Sequence, residues 1–269
     1  MIRIALLVFV GLLLICGQAF GAAEAGAELN DVVSALEAPF KADASSGAGT
    51  TPTAIADFQA DFAQLSRIAS LDRTQRGSGE VVFKFDRNGS GSVPRAKFRW
   101  EYKQPTIQEI ISDGTTIWVY LPENAQVIRS DIGPSSRANG SDPVTFLADL
   151  GNLSHDFAIG WASPKSDGKG NYVLELTPRQ PSSLIQRLVI VVDRDAVLSG
   201  GPSAKPGGRS EDSAIFPILS TTVYDPNGNS TLIEFSDLRV NIGLSDRVFE
   251  FSPPEGVEVI RPTGAEMGF

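Results

Sequence analysis

Ala96-Lys97-Phe98-Arg99-Trp100-Glu101-Tyr102-Lys103 alternates without a break: Ala96, Phe98, Trp100 and Tyr102 fall on one face, and Lys97, Arg99, Glu101 and Lys103 on the other. Successive side chains of an extended chain point to opposite sides of a sheet, so the pattern predicts a strand with one dry and one wet face. Asp113-Gly114 then marks a turn. Thr115 to Leu121 predicts a further strand, with Trp118 and Tyr120 on one face and Ile117, Val119 and Leu121 on the other. Two of the three tryptophans and two of the four tyrosines lie between Ala96 and Leu121. A large apolar surface is assembled here, either as a closed core or as a seat for an apolar guest.

The same rhythm continues on both sides. Strands are expected at 80–86, where Val81, Phe83 and Phe85 share a face, and at 96–103, 107–112, 115–121 and 125–130. They resume at 154–162, 172–177, 185–192, 218–224, 232–240 and 248–251, with Asp225-Pro226-Asn227-Gly228 as a turn. Short connections imply antiparallel neighbours in an up-and-down meander. Residues 53–71 are ambiguous. Phe58, Ala60 and Phe62 alternate as in a strand, but Ile55, Phe58, Phe62 and Leu65 also fit a helix; the expectation is a helical entry at 53–56 and then a strand. Leu29, Val32, Val33, Leu36 and Phe40 predict an amphipathic helix ended by Pro39. Ser141-Asp142-Pro143 is a helix start, and Gly151 a stop, for a short helix with the apolar stripe Val144, Phe146, Leu147 and Leu150. Residues 41–52 read as a Gly/Ala/Ser/Thr linker and 198–212 as a mobile Gly/Pro/Ser-rich loop. Ser252 to Val259 reads as an edge segment because its prolines cannot donate to a central ladder. The fold class is mainly β, in one domain.

Composition narrows the functions. The 269 residues are 42% hydrophobic, enough for a sizeable core, and the formal charge of −9 comes with no Lys/Arg-rich run. Bulk-charge binding to nucleic acid or to an anionic membrane is therefore not expected. Arg3, the apolar run Ile4 to Ile15 and the small-x-small Ala19-Phe20-Gly21 make residues 1–21 a secretory signal peptide, with cleavage before Ala22 and 22–269 as the mature domain. The single cysteine, Cys16, leaves with that segment, and the single histidine, His155, excludes a multi-histidine metal site. Ser154-His155-Asp156 are sequence neighbours, and adjacency does not produce triad geometry. No phosphate loop, nucleophile elbow or zinc signature is present, so no enzyme activity, cofactor or metal is expected.

Several segments resemble the periplasmic lipoprotein carrier family LolA, in that family's order and over most of the mature chain. Phe58-Gln59-Ala60-Asp61-Phe62-Ala63-Gln64 resembles its first strand, and Pro94-Arg95-Ala96-Lys97-Phe98-Arg99-Trp100 its Arg-Pro-x-x-Phe-x-Trp segment. Ile110-Ile111-Ser112-Asp113-Gly114-Thr115-Thr116-Ile117-Trp118 is similar to its strand–Asp-Gly–strand block. Asp142-Pro143 with Phe146-Leu147 resembles its lid helix, and Phe249-Glu250-Phe251-Ser252-Pro253-Pro254 its C-terminal segment. The resemblance implies an open, strongly curved antiparallel half-barrel of about eleven strands, covered by a few short helices acting as a lid. It implies a periplasmic carrier of acylated lipoproteins, loaded by an inner-membrane ABC release complex and unloaded at the outer membrane, to a LolB-type receptor where one exists. No nucleic-acid partner is expected, and a monomer is. One departure is local: the family's lid-latching arginine precedes the proline, whereas here the order is Pro94-Arg95, which moves Arg95 by one position and so toward the other face unless a bulge intervenes.

The candidate acyl-chain residues are Phe83, Phe85, Phe98, Trp100, Trp118 and Tyr120, and the candidate lid residues Arg95, Val144, Phe146, Leu147 and Leu150. Aromatic side chains offer stiff apolar area to a guest that makes no directional contacts, but they pack a sheet against a helix equally well. A sensor or regulatory domain on the same fold, recognising lipid or lipoprotein in the envelope, is the alternative to a carrier.

Overall fold

The structure, a computed structural model, describes residues 27–41, 54–86, 95–132, 146–199 and 216–261. The expected signal peptide, nearly all of the 41–52 linker, Val144 and most of the 198–212 loop lie outside the described residues.

One open, curved sheet carries the fold. Its strands are β1 (Asp57–Ile68), β2 (Arg73–Asp86), β3 (Arg95–Gln104), β4 (Gln108–Ser112), β5 (Thr116–Leu121), β6 (Gln126–Asp131), β7 (Phe157–Ser166), β8 (Tyr172–Pro178), β9 (Arg187–Val192), β10 (Ile218–Tyr224), β11 (Ser230–Val240) and β12 (Glu258–Ile260). Their order is β12-β6-β5-β4-β3-β2-β1-β11-β10-β9-β8-β7. Two antiparallel meanders, β1 to β6 and β7 to β11, are thus joined where β1 pairs with β11. The one parallel pairing described is β12 against β6, from Glu258↔Gln126 to Ile260↔Ile128. The half-barrel expected from the resemblance is what forms, with twelve strands, and its tail does occupy an edge.

Alternation sorts the two faces. Phe58, Ala60 and Phe62 of β1, Val81, Phe83 and Phe85 of β2, Phe98 and Trp100 of β3, Ile110 of β4 and Val119 of β5 all enter one buried core. Ile233 of β11, Leu188 and Ile190 of β9 and Leu174 and Leu176 of β8 continue it on the other side of β1. Helical segments cover this inner face: α1 (Leu29–Glu37) with the 3-10 turn Ala38–Phe40, the 3-10 segment Phe146–Asn152 running into α2 (Leu153–Asp156), and α3 (Arg194–Ser199). α1 and the turn contribute Val32, Leu36 and Phe40, and the second segment Phe146, Leu147, Leu150 and Leu153.

The outer face is wrapped by the chain after β11. Asp57, 4% exposed, fixes where that chain turns: its carboxylate accepts from the amides of Ile242, Gly243 and Leu244 at 2.8, 3.1 and 3.2 Å. Lys84 donates to the Leu244 carbonyl, Arg99 to that of Val248, and Lys84 and Lys97 each reach Asp246 at 3.0 Å. The lysine ammonium of Lys84, then that of Lys97, holds the Asp246 carboxyl below the ordinary carboxylate range. Asp246 therefore adds stability above the ordinary carboxylate pKa, and that contribution vanishes as pH falls through its lowered folded-state value.

Four expectations are corrected. Residues 54–56 are irregular and not helical: the Ile55 and Ala56 amides donate to the Pro39 carbonyl and the Asn241 side chain, and the Ala54 and Ala56 carbonyls, which a helix would offer to its own later amides, accept from Asn241 and Phe85. β2 starts at Arg73, not at 80, as its polar first half pairs with β1 down to Ile68↔Arg73. Residues 246–249 form a 3-10 turn capped by the Ser245 hydroxyl, not a strand. The expected loop from Leu198 begins inside α3, whose first turn is capped by the Asp193 carboxylate accepting from Asp195 and Ala196.

Replacing Asp57 by Ala orphans three amides of the turn. Hydrogen bonds to a charged group contribute about 1.5–3 kcal/mol each, not additively, so Asp57→Ala is expected to cost about 3 kcal/mol in urea unfolding. Asp57→Asn is expected to recover part of it, and equal stability of wild type and Asp57→Ala would contradict the assignment.

Candidate functional site

The inner face under the helices is a continuous aromatic surface. Phe58 stacks on Phe83 with centroids 5.0 Å apart, and Phe83 lies 5.4 Å from Phe98 and 6.2 Å from Trp100. Phe62 meets Trp100 and Tyr102 edge-on, each at 4.9 Å. Phe40, from the helical layer, packs on Phe85 at 5.6 Å and on Phe216 at 5.8 Å. β1, β2 and β3 place these rings because their phenylalanines share one phase of the pleat and their registers align Phe58↔Phe83↔Phe98.

Four of the six candidate acyl-chain residues, Phe83, Phe85, Phe98 and Trp100, meet on this face. Trp118 and Tyr120 do not. Register pairs Val119 with Ile110, which lies opposite Trp100, so Val119 takes the inner face and its neighbours take the outer one. There the Trp118 and Tyr120 rings pack on Phe251, at 6.2 and 5.7 Å, under the C-terminal wrap. The strand alternation held, but aromatic content is a poor guide to which face is inside; Ile117, Val119 and Leu121 carry β5 into the core. Phe40, Phe58 and Phe62 belong to the site and were not nominated from sequence. Their signal was present, since Phe58 and Phe62 sit in phase on a strand that begins the sheet.

Of the lid candidates, Phe146, Leu147 and Leu150 are fully buried against the sheet. Val144 lies outside the described residues, and so does the Arg95 side chain. The Arg95 backbone opens β3 opposite Asp86, in phase with Lys97 and Arg99 and out of phase with Phe98 and Trp100.

A different contact ties the helical layer together. Glu37 at the end of α1 is 2% exposed, and its carboxylate accepts from the Ser154 amide of α2 at 2.5 Å and from Lys41 at 2.9 Å. Gly151 approaches the Phe40 backbone so closely that a Cβ there would stand 3.0 Å from the Phe40 oxygen. The two helical segments therefore lock to each other across the core. Lys41 four residues after Glu37 was a visible ion-pair spacing; that the carboxylate would also cap α2 was not.

Among the described residues, the aromatic side chains of the inner face are buried by the protein's own packing. An open groove of about 650 Å³ is bordered mainly by outer-phase residues, Ala63, Leu65, Arg76, Ser78, Leu232 and Glu234, and is reached also by Gln64 and Gly77 of the inner phase. His155 is exposed and pairs with Asp156 at 2.7 Å, remote from any pocket described. Among the described residues no helix is long and apolar enough to cross a membrane.

Glu37→Gln removes the charge from the tie between the two segments. A charge-assisted hydrogen bond is worth about 1.5–3 kcal/mol, so opening of the layer should become roughly ten- to a hundred-fold more frequent. Binding of an environment-sensitive apolar dye is expected to rise while the far-ultraviolet spectrum stays native; unchanged dye binding would contradict a latch.

Residues 53–200 match the family model described as outer membrane lipoprotein carrier protein LolA. The chain is 28% identical over 222 residues to an outer-membrane lipoprotein carrier protein of Chromobacterium violaceum, covering 78% of this chain and 95% of that one. It is 30% identical over 196 residues to a protein of the same name from Neisseria meningitidis, covering 72% and 76%. Among solved structures, a LolA superfamily protein from Nitrosomonas europaea superposes with a TM-score of 0.41 at 14% identity, over 84% of this chain and 99% of that one.

Proposed function

The chain belongs to the LolA family of outer membrane lipoprotein carrier proteins, and we propose that it carries acylated lipoproteins through the periplasm from the inner to the outer membrane. One observation carries the reading: a single aromatic sheet face is closed by helical segments that are held mainly by apolar packing and by a link to each other. Such a layer can leave the sheet without breaking the ladder beneath it.

Burial energetics explain why a carrier needs this construction. Each methylene withdrawn from water is worth about 0.8 kcal/mol, so a multiply acylated cargo does not cross water unaided. Cargo held at its full burial value would never leave. Helical segments that refill the empty site compete with the cargo, and only the difference between the two packings appears as affinity. Phe83, Phe85, Phe98 and Trp100, with Phe58 and Phe62, are the surface the acyl chains would take, and Phe146, Leu147 and Leu150 the groups they would displace. Glu37 with Ser154 would serve as a latch between the two helical segments.

The rest of the route follows from the same proposal. Residues 1–21 direct export and are removed before Ala22, leaving 22–269 as the carrier domain. Loading by an inner-membrane ABC release complex and unloading to the outer membrane, through a LolB-type receptor where one exists, supply the two ends. Charge steering by the protein, at −9, would favour neither anionic membrane.

Purification from the native envelope under mild conditions, with mass spectrometry of co-eluting species, tests the proposal. Acylated lipoproteins are expected with the wild type and at altered occupancy with Glu37→Gln. Absence of any acylated species from both preparations would refute the carrier reading.

A further inference from the structure

Two buried polar groups on the inner face, the Trp100 indole nitrogen and the Thr221 hydroxyl, have no hydrogen-bond partner among the described residues. Both residues are 0% exposed. Unpaired buried donors are costly, and nearly all such groups in folded proteins are satisfied. A phenylalanine and a valine would fill the same two places without that penalty.

Register shows where these groups lie. Trp100 sits between Val81 and Ile110, and Thr221 between Ile233 and Ile190, all four of them core residues. Ile233 in turn faces Gln64 across β1 and β11. Gln64 begins the polar end of the inner face: its side-chain oxygen accepts from the Tyr102 hydroxyl at 2.8 Å, and Ser66 and Thr231 pair their hydroxyls at 3.2 Å beyond it. Along the strands the face therefore passes from Phe58, Phe83 and Phe98, through the row of Ala60, Val81 and Trp100, to Tyr102 in the row of Phe62 and then to Gln64, whose row also holds Thr221. An acyl ester or amide has the same gradient: hydrocarbon, then a carbonyl acceptor, then a polar head.

We propose that Trp100 and Thr221 donate hydrogen bonds to the ester or amide carbonyl oxygens of bound acyl groups. The unpaired indole N–H and hydroxyl gain acceptors only when cargo is present. The hydrocarbon then lies beneath the helical segments and the head points toward Gln64 and Tyr102. The site recognises acylated molecules and discriminates against equally apolar ones that lack a carbonyl. This inference rests on the carrier reading above.

The test compares 1-decanoylglycerol with 1-O-decylglycerol, an ester and an ether of equal chain length, both below their micelle-forming concentrations, by calorimetric titration of the mature protein. The ester is expected to bind about five- to ten-fold tighter, the worth of one to two net hydrogen bonds. In Trp100→Phe and in Thr221→Val the ester-to-ether ratio is expected to fall toward one. Equal binding of ester and ether by the wild type overturns the inference and leaves the carrier reading standing; so does a ratio retained in both variants. Binding of neither ligand refutes the apolar-cargo reading itself, and this inference with it.

Discussion

Phe58, Phe62, Phe83, Phe98 and Trp100 present one side of the sheet that water cannot be allowed to reach. Apolar surface returns roughly 25 cal/mol for each Å² buried, so a face of this size has to be covered by something at all times. The protein's own helical segments provide one cover, and an acyl cargo would provide another. The strand ladder holds together independently of that cover. The ladder needs no helix, since β1 pairs with both β2 and β11 and joins the two meanders through backbone hydrogen bonds.

The outer face is built on the opposite rule. The chain after β11 is stitched to it by charge and carboxylate caps: Asp57 on three amides, Lys84 and Lys97 on Asp246, and Arg99 on Val248. Trp118, Tyr120 and Phe251 fill the space beneath. Charged and backbone bonds hold the outer wrap, whereas the inner layer buries mostly apolar side chains, with directional bonds at its margins: Glu37 to Ser154, Ile55 to Pro39 and Arg179 to Asp156. Non-directional contacts can be exchanged for other non-directional contacts at small net cost, which is the property a reversible carrier requires.

Much of this was legible in the sequence because alternation is a direct readout of the pleat. Val81-Phe83-Phe85 and Phe98-Trp100 announced both their strands and their shared face. What alternation does not encode is which phase is inner: in β5 Trp118 and Tyr120 are the larger side chains, yet Val119 is the one opposite Ile110. The helical entry at 53–56 failed because tertiary bonds to Pro39 and Asn241 outweigh local periodicity. The Glu37 latch and the unpaired Trp100 and Thr221 were invisible in principle, since a missing or distant partner leaves no mark on local sequence.

Exchange of helix–sheet contacts for cargo–sheet contacts is most directly tested by hydrogen exchange with and without a synthetic triacylated lipopeptide. Amides of residues 29–40 and 146–156 should lose protection when the lipopeptide binds, while those of β1, β2 and β3 keep theirs. Unchanged or increased protection of both helical segments in the bound protein would contradict the exchange.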